Sequence, residues 1–204
     1  MKEKLELLVK DISNNKWIEI EKIAFGNTAT DNFLKMIILE DTNCKPFPLI
    51  SELYDQISSL RIKWKCNLNE NTAIKKYDLE DEEIYGEINI LSLGKLLNFD
   101  KKLEQWTENF EEEELKDLEK FRSFDTHDEF IRMGFFLENN ILSEEMYYLE
   151  NGATGFGKSP FNFKKYFDLL LENKGFMGWQ HNVLFPDNDN AKRMNHYINQ
   201  LFNK

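Results

Sequence analysis

Residues 152–159 read GATGFGKS and match the phosphate-binding pattern G-x-x-x-x-G-K-[ST] letter for letter. In that chemistry Lys158 would hold the β- and γ-phosphates of a nucleotide, and Ser159 a magnesium ion. Three features of the sequence oppose it. Pro160 removes a backbone donor and pushes Ser159 out of the αR region. A phosphate loop needs the helix under way at that point, with N–H groups aimed at the phosphates. The stretch after Ser159 holds two helical patterns and no strand run, so a parallel sheet has no room, and no hydrophobic strand ends in an Asp placed for magnesium. Ser159 and Pro160 read instead as N-cap and first residue of a helix, with GATGFGKSP a mobile hairpin-to-helix connection.

Asp125, His127 and Asp128, in FDTHDEF, are the one cluster that suggests a metal. Metal ligands converge, as at i and i+4 on a helix with a further ligand elsewhere, and this trio reads as a turn between helix and strand. Cys66 with His181 or His196 would make a nucleophile–base pair, yet Cys66 shares the inward side of its strand with Trp64, the position of an inert core thiol. Paired carboxylates abound at Glu80–Glu83 and Glu111–Glu114, but a catalytic acid needs partial desolvation, and runs of four acids belong on a solvated face. No catalytic residue, cofactor-binding residue or metal ligand is assigned, and the chain is not read as an enzyme.

The same acids carry another reading. Lys and Arg number 26, Asp and Glu 37, for a net charge of −11 and a pI near 4.9. Such a surface repels nucleic-acid phosphates and anionic lipids, and attracts a basic protein. From 108 to 119 Glu108, Glu111, Glu112, Glu113, Glu114, Asp117 and Glu119 face Lys116 alone, and Asp81, Glu82 and Glu83 form a shorter run. Trp106 lies amid this charge, where a large ring is expected to stay partly exposed. These residues are the candidate partner-binding surface.

The elements that must position these residues follow from hydropathy patterning. With 41% hydrophobic residues and 17 Phe among 204, the chain can fill a substantial core and reads as one domain over 1–204. Leu5, Leu8, Val9 and Ile12 share a helical face. FLKMIILE at 33–40 is assigned to a strand. Pro46 and Pro48 open a helix carrying Phe47, Ile50, Leu53, Tyr54, Ile57 and Leu60 at spacings of three and four. RIKWKCN alternates, with Ile62, Trp64 and Cys66 inward. A polar loop leads to a short strand at Ile88–Ile90 and a helical turn at Leu93–Leu97. Leu103, Trp106, Phe110, Leu115 and Leu118 mark surface helices within 101–120. EFIRMGFFLE at 129–138 and MYYLE at 146–150 read as antiparallel strands. Phe163, Tyr166, Phe167 and Leu170 face inward from a helix that ends before Gly175, GFMGWQ is a connector, and a last helix starts near Asp189.

The sum is an α+β domain with a mostly antiparallel sheet of five or six short strands against several helices. Cys44 and Cys66 are not required to pair. MKEKLELLVKDISNN carries Glu3, Glu6 and Asp11 and no unbroken apolar segment, and no apolar run reaches the ~20 residues of a membrane span, so a cytoplasmic location is expected.

PLISELYDQISSLRIKW at 48–64, YGEINILSLGKL at 85–96, FRSFDTHDEFIRMGFFLE at 121–138 and MYYLENGATGFGKSPFNFKKYFDLLLENKGFMGWQ at 146–180 follow one another in an order that resembles the SUKH superfamily. That family includes the Smi/Knr-type regulators of yeast cell-wall synthesis and many bacterial immunity proteins. The resemblance covers roughly 45–180; SSLRIKW stands where the family often has Asn-Gly, and residues 1–45 are unmatched. It implies a non-enzymatic domain that neutralises a cognate toxin, often a nuclease, by binding it in the cytoplasm. The alternative within the same fold is a scaffold or regulatory adaptor, and a nucleotide-binding enzyme using GATGFGKS is the third reading. The resemblance fixes neither the toxin nor the oligomeric state, and it carries over no site residue.

Overall fold

The computed structural model describes residues 1–26, 28–71, 73–126 and 130–202, and over 28–34 the backbone alone. Along the chain run α1 (Lys2–Ser13), β1 (Glu19–Phe25), α2 (Thr28–Thr42), α3 (Pro48–Gln56), β2 (Leu60–Asn67), β3 (Glu83–Ile90) and α4 (Leu93–Leu97). A 3-10 turn (Lys101–Trp106) and α5 (Glu112–Leu118) lead into β4 (Phe121–Asp125), β5 (Ile131–Glu138), β6 (Ile141–Leu142), β7 (Glu145–Glu150) and β8 (Gly157–Asn162). Helices α6 (Phe163–Asn173), α7 (Trp179–Leu184) and α8 (Asp189–Phe202) follow. The fold is α+β, as expected. Among the described residues its sheet has eight strands, ordered β1-β2-β3-β4-β5-β7-β8 with β6 on β5, and every described register is antiparallel.

Contacts gather in two compact units, and neither is continuous in sequence. The first takes Met1–Ala24, Arg61–Ile88 and Phe167–Lys204, and the second Phe25–Leu60 and Asn89–Tyr166. Because each unit is assembled from separated segments, no linker composition marks a boundary.

In the first unit the alternation of β2 buries Ile62, Trp64 and Cys66, and that of β3 buries Ile84 and Ile88. Trp64 is wholly buried, and its indole N–H donates to the Lys174 carbonyl at 2.8 Å. Gly86 makes room for it, since a Cβ there would lie 2.4 Å from the Trp64 ring. Two residues past the end of α6, Gly175 has a φ of +68° that suits glycine, and a Cβ there would sit 2.6 Å from the Glu87 carbonyl. Helix α1 buries Leu5, Leu8 and Ile12, and α8 buries Ala191, Met194, Tyr197, Ile198 and Leu201.

The second unit is built on phenylalanine. Phe47 meets Phe135 and Phe163 edge-on at 5.2 and 5.7 Å between ring centroids, and Phe124 meets Phe163 at 5.3 Å. A separate cluster joins Leu103, Trp106, Leu118, Phe121 and Leu149, with Phe110, Phe136, Tyr147, Ala153 and Phe156 packed against it.

Four sequence expectations need correction. FLKMIILE lies in helix α2, not a strand, and its run is too short for periodicity to decide. Ile57 and Leu60 are buried but not helical: Ile57 is extended at φ −140°, ψ 151°, and Leu60 opens β2. GFMGWQ is not all connector, because α7 begins at Trp179. Ser159 and Pro160 do not start a helix; they lie in β8. Proline is tolerated there because β8 ends the strand order, where a missing N–H breaks no ladder on the open side. Helix α6 starts at Phe163, and Asn162 Oδ1 accepts from the Lys165 N–H at 3.0 Å.

Candidate acidic docking surface

Helix α5 opens with Glu112, Glu113 and Glu114 in its first turn, preceded by Glu111 at the N-cap. Carboxylates there favour the helix because they face unpaired N–H groups at its positive end. Glu108, Glu111, Glu112 and Glu113 are exposed. Compensation is thin: Lys116 reaches Glu112 at 3.9 Å, and Lys120 takes Asp117 at 2.8 Å. The last of these removes Asp117 from the uncompensated set. Glu114 is half-buried, with no hydrogen-bond partner at Oε2 among the described residues, and its Cγ stands 3.4 Å from where a Cβ on Gly155 would lie.

The ridge stands on aromatic rings. Trp106 is 7% exposed, with the Arg132 guanidinium 4.6 Å from its ring centroid. The expectation of a partly exposed ring is therefore corrected. Trp106 belongs to the core under the ridge, because Leu103, Leu118, Phe121 and Leu149 close over it. Phe156 joins the same base, 5.7 Å from Phe110, 4.9 Å from Phe121 and 5.2 Å from Phe136.

GATGFGKS meets the ridge. Asn109 donates to the Gly152 carbonyl at 3.0 Å, and Ala153 and Phe156 pack on the ring cluster. The two glycines that the phosphate-binding pattern requires have structural reasons of their own. Gly152 turns the chain at φ +80°, and a Cβ on Gly157 would fall 2.1 Å from the Tyr148 ring. Lys158 lies opposite Tyr147 on β7 and holds Glu145 at 2.6 Å, which draws the Glu145 pKa down and raises that of Lys158. Ser159 Oγ accepts from the Phe161 N–H. The loop is thus a strand-to-strand turn beside a carboxylate, the wrong sign for phosphate.

The shorter acidic run divides. Glu82 and Glu83 are exposed, Glu83 as the first residue of β3. Asp81 is engaged within the protein: Arg193 holds it at 2.8 Å, and the Tyr197 hydroxyl donates to it. Burial raises the Asp81 pKa, but the hydrogen bonds from Tyr197 and Arg193 outweigh it and leave the value lowered. Asp81 is a fastener rather than a docking contact. The signal that could have shown this is the polar stripe Arg193, His196, Tyr197 and Gln200, at helical spacing on α8.

Asp125 is wholly buried and accepts from the Tyr166 hydroxyl at 3.1 Å. His127 and Asp128 lie outside the described residues, and among those described no group of three or more His, Cys, Asp or Glu is placed to hold a metal. Cys44 and Cys66 are free and buried, and burial pushes the Cys66 thiol up to about 11. Among the described residues no helix is long and apolar enough to cross a membrane. No family model, curated protein or solved structure matches the chain.

Proposed function

We propose that the chain is an immunity protein, which binds a basic cognate toxin in the cytoplasm and blocks it stoichiometrically. The observation that carries the binding half is the ridge. Glu112 and Glu113 project from α5, and Glu108 and Glu111 from the segment just before it, over a base of Trp106 and Phe121, and Lys116 reaches Glu112 at 3.9 Å. Fixed like charges without counter-charges favour a partner that supplies them, and they speed the encounter. A nuclease is the natural complement, because the face that holds phosphates is positive. The resemblance to SUKH immunity proteins supports the toxin half.

The test is co-expression with the protein encoded next to this one. Rescue of growth, together with a complex that co-purifies at low salt and weakens at high salt, is the expected outcome. A neighbour that is neither toxic nor bound would sink the proposal.

A further inference from the structure

We infer that loop 75–82 is a preformed docking tip, anchored by Leu79 and fitted to a partner surface with an apolar pocket rimmed by Lys or Arg. The inference rests on reading the chain as a protein-binding module and names a second surface that it uses. Leu79 is 90% exposed. A lone exposed leucine is ordinary on a protein surface. What sets this one apart is the backbone on either side of it, which α8 holds in place.

The Gln200 carboxamide brackets one residue, accepting from the Lys75 N–H at 2.7 Å and donating to the Lys75 carbonyl at 2.9 Å. His196 Nε2 lies 2.7 Å from the same carbonyl. One turn away, the Tyr197 hydroxyl accepts from the Tyr77 N–H at 2.8 Å, and the Tyr77 hydroxyl donates to Asp189 at 2.8 Å. Arg193 and Tyr197 then fasten Asp81 on the far side of Leu79. Asp81 accepts in turn from the Asp78 N–H at 3.1 Å, and Asp78 from the Glu80 N–H at 3.2 Å, which closes the tip.

Both flanks of Leu79 are therefore fixed before any partner arrives, so docking costs little further ordering. Around the tip the acids Asp78, Glu80 and Glu82 are exposed, as is Lys75, and Lys76 keeps its charge while donating to Asn69 at 2.7 Å. An apolar side chain held on fixed backbone offers a partner a contact at little ordering cost, and the four acids of 78–82 against Lys75 and Lys76 favour a basic rim.

The probe is a synthetic amphipathic helical peptide of leucine and lysine, titrated into the full chain while backbone amide resonances are followed at low and high salt. Shifts centred on 76–82 that persist at high salt are expected. Leu79→Ala should weaken the peptide at least tenfold, with the fold unchanged because the side chain is solvent-exposed. Gln200→Ala, which keeps Leu79 but frees Lys75, should weaken it by a smaller factor. Shifts confined to 108–119, no binding, or a Leu79→Ala or Gln200→Ala protein that binds like the parent would overturn the inference. If the toxin binds while these variants leave the peptide unaffected, the tip fails and the immunity reading stands. If the peptide needs Leu79 but the neighbouring protein does not bind, the tip stands and the immunity reading fails.

Discussion

The outer face of β1–β3 and the ridge on α5 are both dense in charge, yet only one of them is neutralised from within. On the sheet, Lys63 holds Glu21 at 2.8 Å, Lys65 lies 3.5 Å from Glu19 and 3.6 Å from Glu21, and Arg61 holds Glu87 at 2.8 Å. A strand points every second residue to one face, so opposite signs on adjacent strands meet within hydrogen-bond reach. On α5 the acids are consecutive in sequence, and a helix spreads consecutive residues around its axis instead of pairing them. Alternation consumes charge; a run leaves it available. The sheet face reads as structure, and the ridge as an offer to a partner.

The largest effect should come from undermining the ridge. Trp106→Ala removes a buried ring from its base and is expected to cost about 3–5 kcal/mol in chemical denaturation, which a surface tryptophan would not. Next, replacing Glu111, Glu112 and Glu113 together by Gln should cost at most about 1–3 kcal/mol, the favourable interaction of exposed carboxylates with the helix start. The same change should weaken the low-salt complex with the proposed toxin tenfold or more by calorimetry. A loss of stability beyond that, with the complex unaffected, would mean that the ridge is as internally compensated as the sheet.

A smaller signature lies in pH. The Lys63 hydrogen bond draws the Glu21 pKa below its ordinary value, so the contribution of Glu21 is present above the unfolded carboxylate range and lost as pH falls through its folded value. Carboxylate partners, Glu21 for Lys63 and Glu19 for Lys65, raise both lysines, whose contribution is complete below the unfolded lysine value of about 10.4 and lost above it. Stability of the sheet face should therefore be flat between about pH 5 and 10 and fall at both ends, as followed by amide exchange of β2. The smallest effect is expected for Glu21→Gln near neutrality, where the melting curve should overlay the parent's, because exposed pairs contribute little.

Legibility tracked how local each cause is. The burial of Ile62, Trp64 and Cys66 could be read from RIKWKCN because a half-buried strand writes its environment at period two. Helix α3 was overextended because Ile57 and Leu60 happen to continue its spacing while serving the next elements. Trp106 was misplaced because its neighbours Phe121 and Leu149 arrive from elsewhere in the sequence. The ridge itself was legible as a run of acids, but the withdrawal of Asp117 and Asp81 into internal pairs was not, since Lys120 and Arg193 are plain surface-type residues until the fold is known. Pro160 does not open a helix as its type suggests, because an edge strand tolerates the same residue.

The interleaving of the two units bears on synthesis. The second unit has all its chain once Tyr166 has left the ribosome, whereas the first still lacks Phe167–Lys204 at that point. The ridge can take shape on a nascent chain, but loop 75–82 waits for α8. Ribosome-stalled intermediates should present a folded acidic helix while Leu79 still hangs on unfastened backbone.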